Sequence, residues 1–346
     1  MDRMTSWYCS PRARQWTCAT SSGRALRFHQ SLPGYAPTPL VSVPALADEL
    51  RVGRVLLKDE SSRLGLPAFK VLGASWACHQ VLEAQPGATL VTATDGNHGR
   101  AVARMASQFG VAAIVFVPEV MIPATARGIA GEGAKLVWVD GDYDEAVRRA
   151  AAFAERPGHA LVQDTAWAGY ERVPAWIVEG YQTLLGEVDD QLGAAPDLVA
   201  VPVGVGSLAE GVVRHYRRAG RQDGSHPSVL SVEPDTAACV LASLIAGRPT
   251  TVPTAATVMA GLNCGTMSSS AWPVLSAGCD AAAAVTDDGA LRAVADLDRL
   301  GISSGPCGAA TLAGARAVLT DQARRAACDL DEDAVVVLLS TEGNSR

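Results

Sequence analysis

Short apolar runs alternate with helix-spaced segments along most of this chain. Leu90 to Ala93 is an apolar, β-prone run, and the turn Asp95-Gly96-Asn97 follows it. Val102, Met105, Ala106 and Phe109 then recur at the helical period, which predicts a helix over 100–109. Val111 to Val117 is a β-branched run stopped by Pro118, and Pro123 sits where a helix over 123–129 would begin. Strands are predicted at 135–139 and 160–162, with a helix over 143–154 between them. A long helix begins after the stretch Trp167 to Pro174, which is also the expected domain boundary. The second half repeats the alternation, with strands at 198–203, 229–232, 281–285 and 334–339. Its helices are predicted at 207–219, 236–246, 288–299 and 308–325. Strand and helix alternating at this spacing define an α/β fold of mostly parallel sheets, linked by right-handed crossovers and covered by helices.

Composition narrows the class. With 346 residues, 48% of them hydrophobic, the chain is long enough for two domains, and its 19% charged fraction suits sheets covered on both faces. A formal charge of −7 argues against nucleic acid or an anionic membrane as partner. No apolar run reaches the ~20 residues of a membrane helix, and the first residues lack the apolar stretch of a signal peptide. A cytoplasmic protein is therefore expected. The eight cysteines form no CxxC pair and the six histidines no HExxH, so no metal site is predicted.

Three turns carry candidate chemistry. The chain has only three lysines, Lys58, Lys70 and Lys135, and Lys70 lies in Pro67-Ala68-Phe69-Lys70-Val71-Leu72-Gly73-Ala74. An amine in that apolar setting is expected to have a depressed pKa and to act as a nucleophile towards an aldehyde; the bland alternative, a solvated cation, suits Lys135. The second turn is Thr94-Asp95-Gly96-Asn97-His98-Gly99, placed between strand and helix where α/β proteins bind ligands. Its bland reading is a tight turn with Asp or Asn as helix cap. The third is Gly204-Val205-Gly206-Ser207-Leu208, directly after a predicted strand, where backbone N–H groups can hold a phosphate. It is not G-x-G-x-x-G, and no Gly-Lys pair exists for a Walker loop. An aldehyde-reactive lysine with a phosphate turn points to pyridoxal phosphate. A nucleotide-binding oxidoreductase using Gly204 to Gly206 stays open as the alternative from another class.

Taken in order, these turns and the later Val232-Glu233-Pro234 resemble the fold type II (tryptophan synthase β-like) family of pyridoxal phosphate enzymes, over about 33–344. Asp95 stands where dehydratases of the family carry Ser. With Gln163-Asp164-Thr165-Ala166-Trp167, Ala260-Gly261-Leu262 and Thr341-Glu342-Gly343, it resembles the diaminopropionate ammonia-lyase branch. Gly301 to Gly308 departs from that branch by lacking Glu-Ser-Gly, and the stretch from Lys70 to Asp95 is short for the family.

The resemblance implies two domains, a small mobile one over 63–170 and a large cofactor-binding one from 1–62 plus 171–346, with the site between them. It implies Lys70 as the Schiff-base lysine beside Phe69, Asn97 on the cofactor's 3′ oxygen, Gly204, Val205, Gly206, Ser207 and Leu208 on its phosphate, and Thr341 (or Ser340) at the pyridine nitrogen. Asp95 and Asp164 join Lys70 as catalytic residues. The implied reaction is elimination of ammonia from 2,3-diaminopropionate to pyruvate and ammonia, by a lyase expected to be a cytoplasmic homodimer. The alternative inside the same fold is a dehydratase or β-replacement synthase acting on another β-substituted amino acid.

Overall fold

A computed structural model describes residues 7–220 and 226–344. In chain order the elements are β1 (Trp7–Cys9), α1 (Arg24–Ser31), β2 (Leu40–Ser42), α2 (Pro44–Leu50), β3 (Arg54–Asp59), α3 (Lys70–Ala84), β4 (Thr89–Ala93) and α4 (Asn97–Gln108). Then come β5 (Ala113–Pro118), α5 (Pro123–Gly131), β6 (Lys135–Val139), α6 (Tyr143–Ala154), β7 (His159–Leu161), α7 (Arg172–Leu192), β8 (Leu198–Pro202) and α8 (Ser207–Tyr216). The chain ends with β9 (Ser228–Pro234), α9 (Cys239–Ala246), α10 (Ala271–Gly278), β10 (Ala281–Val285), α11 (Asp287–Arg299), α12 (Pro306–Leu319), α13 (Gln322–Ala327) and β11 (Val335–Ser340).

The strands form two sheets. A seven-stranded sheet has the order β1-β10-β9-β8-β11-β3-β2, parallel except at its two edges, and a four-stranded parallel sheet has the order β6-β5-β4-β7. The inner strands β8 and β9 are buried along their whole length. Helices cover both faces of such strands, which is why they read as unbroken apolar runs. The α/β class and the parallel sheets are as expected from the sequence.

Each sheet has one place where the strand order reverses, and that is where open α/β sheets leave a crevice at their carboxyl ends. In the small sheet β5 and β6 build out from one side of β4, and β7 adds on the other. In the large sheet β9 and β10 build out from one side of β8, and β11 adds on the other. The residues following β4, β7, β8 and β11 are 94–99, 162–164, 203–206 and 341–343. All the predicted site residues outside the Lys70 loop lie in or next to those four stretches.

Two expectations need correction. The helix predicted over 308–325 is two helices, because the Asp321 side chain accepts from the N–H groups of Ala323 and Arg324 and starts α13 afresh. The helix predicted from Arg100 begins three residues earlier at Asn97, since Thr94 Oγ1 accepts from Gly96 N and Gly99 N and closes the first turn.

A buried ionic cluster fixes the loop that leads to Lys70. Arg63 donates to Glu60 and Glu187 at 2.6 Å each, and Lys58 Nζ reaches Glu187 at 2.7 Å and the Thr38 carbonyl at 2.7 Å. All four charged side chains are essentially inaccessible, and their charges cancel. Breaking such a pair from one side leaves an uncompensated buried charge. The cluster therefore ties the start of that loop, Glu60 to Arg63, to Glu187 of α7, while Phe69 N donating to Thr341 O and Gly343 N to Pro67 O tie its end to the residues after β11.

Candidate active site

A cavity of about 300 Å³ opens at the carboxyl ends of both sheets, and every site residue predicted from the sequence lines it. Lys70 opens α3, with Phe69 before it, and its Nζ donates to Asp164 Oδ2 at 2.6 Å. The Phe69 ring lies under the ammonium, 5.6 Å from Nζ to its centroid, and packs against the fully buried Tyr181. Neither other lysine approaches the cavity, because Lys58 is committed to the ionic cluster and Lys135 is exposed.

The expected pKa of Lys70 is reversed. Burial pulls the ammonium down, as its apolar neighbours suggested, but the charge of Asp164, then Tyr181 and Asp95, outweighs it and the net shift is upward. Asp164 shows the complementary effect. Burial pushes its carboxyl up, yet Lys70 and His98 more than offset this and hold it well below the usual carboxylate range. The main chain of Asp164 is fixed by Ser207, whose hydroxyl donates to its carbonyl at 2.7 Å, so α8 locates the carboxylate.

Asp95 and Asn97 are not helix caps. Gly96 is the capping residue, and Thr94 supplies the hydroxyl that closes the turn. Both side chains are thereby left to line the cavity. Asp95 reaches solvent within it, while the surrounding protein raises its carboxyl above the ordinary range, helped by Asp164 and Glu342 and opposed by Lys70. Asn97 Nδ2 donates to Glu342 Oε2 at 3.0 Å.

The Gly204 to Leu208 turn enters α8 with Gly206 at φ +97°, a conformation that favours glycine. A Cβ on Gly204 would stand 3.0 Å from the Gly261 carbonyl oxygen, so the backbone itself forms the wall. Among the described residues, none accepts the backbone N–H of Gly204, Val205, Gly206, Ser207 or Leu208. Five such donors at a helix N-terminus are able to hold a phosphate. Thr341 faces the cavity, whereas Ser340 is turned away and donates to Ser304 at 2.7 Å.

Several lining residues had no assigned role in the sequence, among them His98, Glu342 and Tyr143. His98 Nε2 contacts the Val162 carbonyl at 2.8 Å and its Nδ1 lies 3.8 Å from Asp164, so the ring backs the Lys70–Asp164 pair. Glu342 touches Asn97. Both stand inside motifs already singled out, Gly-Asn-His-Gly and Thr-Glu-Gly. Tyr143, held by Gln163 Nε2 at 2.8 Å, carries no local signal beyond its place at the start of α6.

A lysine amine and a glycine turn whose N–H groups find no acceptor among the described residues line one cavity at the carboxyl ends of the two sheets, an arrangement that points to a class of enzyme. The chain belongs to the family of pyridoxal-phosphate dependent enzymes, whose profile matches residues 31–342. Within it, the chain is 35% identical to the diaminopropionate ammonia-lyase of Salmonella typhimurium, over 92% of this chain and 88% of that protein. The diaminopropionate ammonia-lyase of Escherichia coli is equally similar, 35% identical over 93% of this chain and 88% of its own. Its crystal structure in complex with D-serine superposes with a TM-score of 0.85 at 33% identity, covering 97% of this chain and 91% of that one. The structure of the same protein with an aminoacrylate-PLP azomethine reaction intermediate gives 0.84 at 34% identity, with the same coverage. The resemblance stated from the motifs is borne out, and the oxidoreductase reading of Gly204 to Gly206 falls away. The residues fit the cofactor, with one lysine amine in the cleft and, along its lining, five N–H groups that find no acceptor among the described residues.

Proposed function

We infer that this protein eliminates ammonia from 2,3-diaminopropionate, giving pyruvate and two ammonia after one water is consumed. The observation that carries this is the charge of the cleft. One lysine faces three carboxylates, Asp95, Asp164 and Glu342, which leaves an acidic pocket suited to a substrate with a second ammonium. When bound, pyridoxal phosphate supplies an aldehyde for the substrate's α-amine and an electron sink that acidifies its Cα–H.

The chain's own residues do the rest. Lys70 Nζ would be the amine that meets the aldehyde, and the N–H groups of Gly204 to Leu208 would hold the phosphate. Asn97 would support the 3′ oxygen. Thr341 would offer a hydroxyl to the pyridine nitrogen, a weaker partner for a ring proton than an Asp. Lys70 Nζ takes the Cα proton from one face and an Asp95 carboxylate oxygen takes it from the other, so each serves one isomer, Asp95 the D and Lys70 the L. Asp164 holds the β-ammonium that leaves as ammonia. Residues 63–170, which contain the whole four-stranded sheet, act as a small domain that closes on 1–62 plus 171–346. The enzyme works as a cytoplasmic homodimer; no described helix is long and apolar enough to cross a membrane.

A keto-acid release assay with D- and L-2,3-diaminopropionate, serine and threonine tests the reading. Diaminopropionate is expected to be the best substrate. Turnover of the hydroxy amino acids with none of diaminopropionate makes the protein a dehydratase instead.

The cradle has its own test. Gly206→Asp places a carboxylate where the phosphate belongs, and a Cβ there would stand 3.1 Å from Ala271 Cβ. We expect a loss of cofactor affinity of ~10²-fold or more from charge repulsion and intrusion. The positive φ adds a stability cost of about 1–3 kcal/mol. Absorbance titration with pyridoxal phosphate measures the first and thermal melting the second. Undiminished affinity would place the phosphate elsewhere.

A further inference from the structure

We propose that Glu342 is a positioning residue that fixes the amide of Asn97 and, through it, sets the proton affinity of the cofactor's 3′ oxygen. The inference rests on the reading of Asn97 given above and adds a residue to it.

Glu342 follows β11 at a junction of three segments. Its main chain pairs with Ala68 in an antiparallel bridge, with Phe69 N donating to Thr341 O at 3.1 Å and Gly343 N donating to Pro67 O at 3.0 Å. It is thus zipped to the loop that ends at Lys70. Gly305 N donates to the Glu342 carbonyl at 2.9 Å, which ties the same residue to the start of α12. The side chain then spans to the other sheet's loop, where Oε2 accepts from Asn97 Nδ2 at 3.0 Å.

The chemistry of the pair dictates an orientation. A carboxylate only accepts, so Asn97 must turn its NH₂ group towards Glu342. An amide without such a partner can rotate by half a turn at little steric cost, because its two ends have nearly the same shape. Held this way, the second amide hydrogen points away from Glu342. Asn97 lines the cavity, so that hydrogen is available to an oxygen placed there. The charge matters as well. Glu342 stands one hydrogen bond behind Asn97, and a carboxylate at that range disfavours a second negative charge on the 3′ oxygen. Its field reaches the cavity, since it contributes to the upward shift of Asp95 that burial begins.

A plainer role is available. Glu342 Oε1 accepts from Cys307 N at 3.3 Å, in the first turn of α12, where Pro306 has no N–H to offer. A carboxylate at a helix N-terminus stabilises the helix. That role occupies one oxygen and leaves the contact with Asn97 unexplained. Gly305 also leaves the carboxylate its room, because a Cβ there would stand 2.8 Å from Oε1.

The test is a pH titration of the absorbance of protein loaded with pyridoxal phosphate. Glu342→Gln keeps the shape and removes the charge, so the midpoint of the bound cofactor should move down by about one pH unit. Glu342→Asp keeps the charge but withdraws it from Asn97, and should give a smaller shift in the same direction. In an Asn97→Ala background, Glu342→Gln should shift the midpoint by less than half as much, because the partner it acts through is gone. An unshifted midpoint in Glu342→Gln, with only a lowered melting temperature, makes Glu342 a helix cap and overturns the proposal. Should Glu342→Gln not hold cofactor, the Glu342→Asp titration decides by the same criterion. Failure of the wild type to take up pyridoxal phosphate removes the reading of the whole site. A loaded wild type beside an unshifted variant removes this proposal alone.

Discussion

Borohydride reduction of the cofactor-loaded protein is expected to fix the pyridoxyl group on Lys70, and peptide mapping should find none on Lys58 or Lys135. Lys58 is inaccessible and donates to Glu187, Thr38 and Gln191, so all three of its hydrogens are committed. Lys135 lies exposed at the start of β6. Only Lys70 presents its amine to the cavity, over the face of Phe69. Lys70→Ala removes the nucleophile and one of the two proposed bases together, so turnover should fall by at least ~10³-fold for both isomers. The variant should also lose its borohydride-stable adduct while keeping the N–H cradle and some affinity for the cofactor. A label on either other lysine would overturn the assignment.

What the chain disclosed before folding depends on whether the signal was local. Strands β8 and β9 were legible because both faces are covered, which leaves an unbroken apolar run. The edge strands β1 and β2 are three residues each and at most half-buried, so they offered no pattern. Helix α3 gave no helical pattern, because Val71 to Cys78 is buried on every side and shows no polar stripe. Among site residues, the glycines of the 94–99 and 204–208 turns announced themselves, since close backbone approach has a composition. The sign of the Lys70 shift did not, because its cause, Asp164, lies 94 residues away in sequence. The Asn97–Glu342 contact joins residues 245 apart, and nothing local specifies it.

The two aspartates are expected to fail in different ways when neutralised. Asp95 reaches the open part of the cavity and is held up from the usual carboxylate range, a setting that favours taking a proton. Asp164 is buried against Lys70 and His98 and held far down, a setting that favours staying charged. Asp95→Asn keeps the shape and removes basicity, so the isomer that uses it should lose ~10²–10⁴-fold in rate. The isomer deprotonated by Lys70 should lose much less. Asp164→Asn should weaken turnover of both isomers, because the β-ammonium loses its partner whichever face presents the proton. It also frees Lys70 from the charge that raises it most, so the amine's pKa should fall as burial takes over. Steady-state rates for D- and L-2,3-diaminopropionate on the two variants decide the matter. Equal losses for both isomers in Asp95→Asn would show that Asp95 is no face-specific base. An unimpaired Asp164→Asn would leave the β-ammonium to Glu342 or Asp95, the other carboxylates of the cleft.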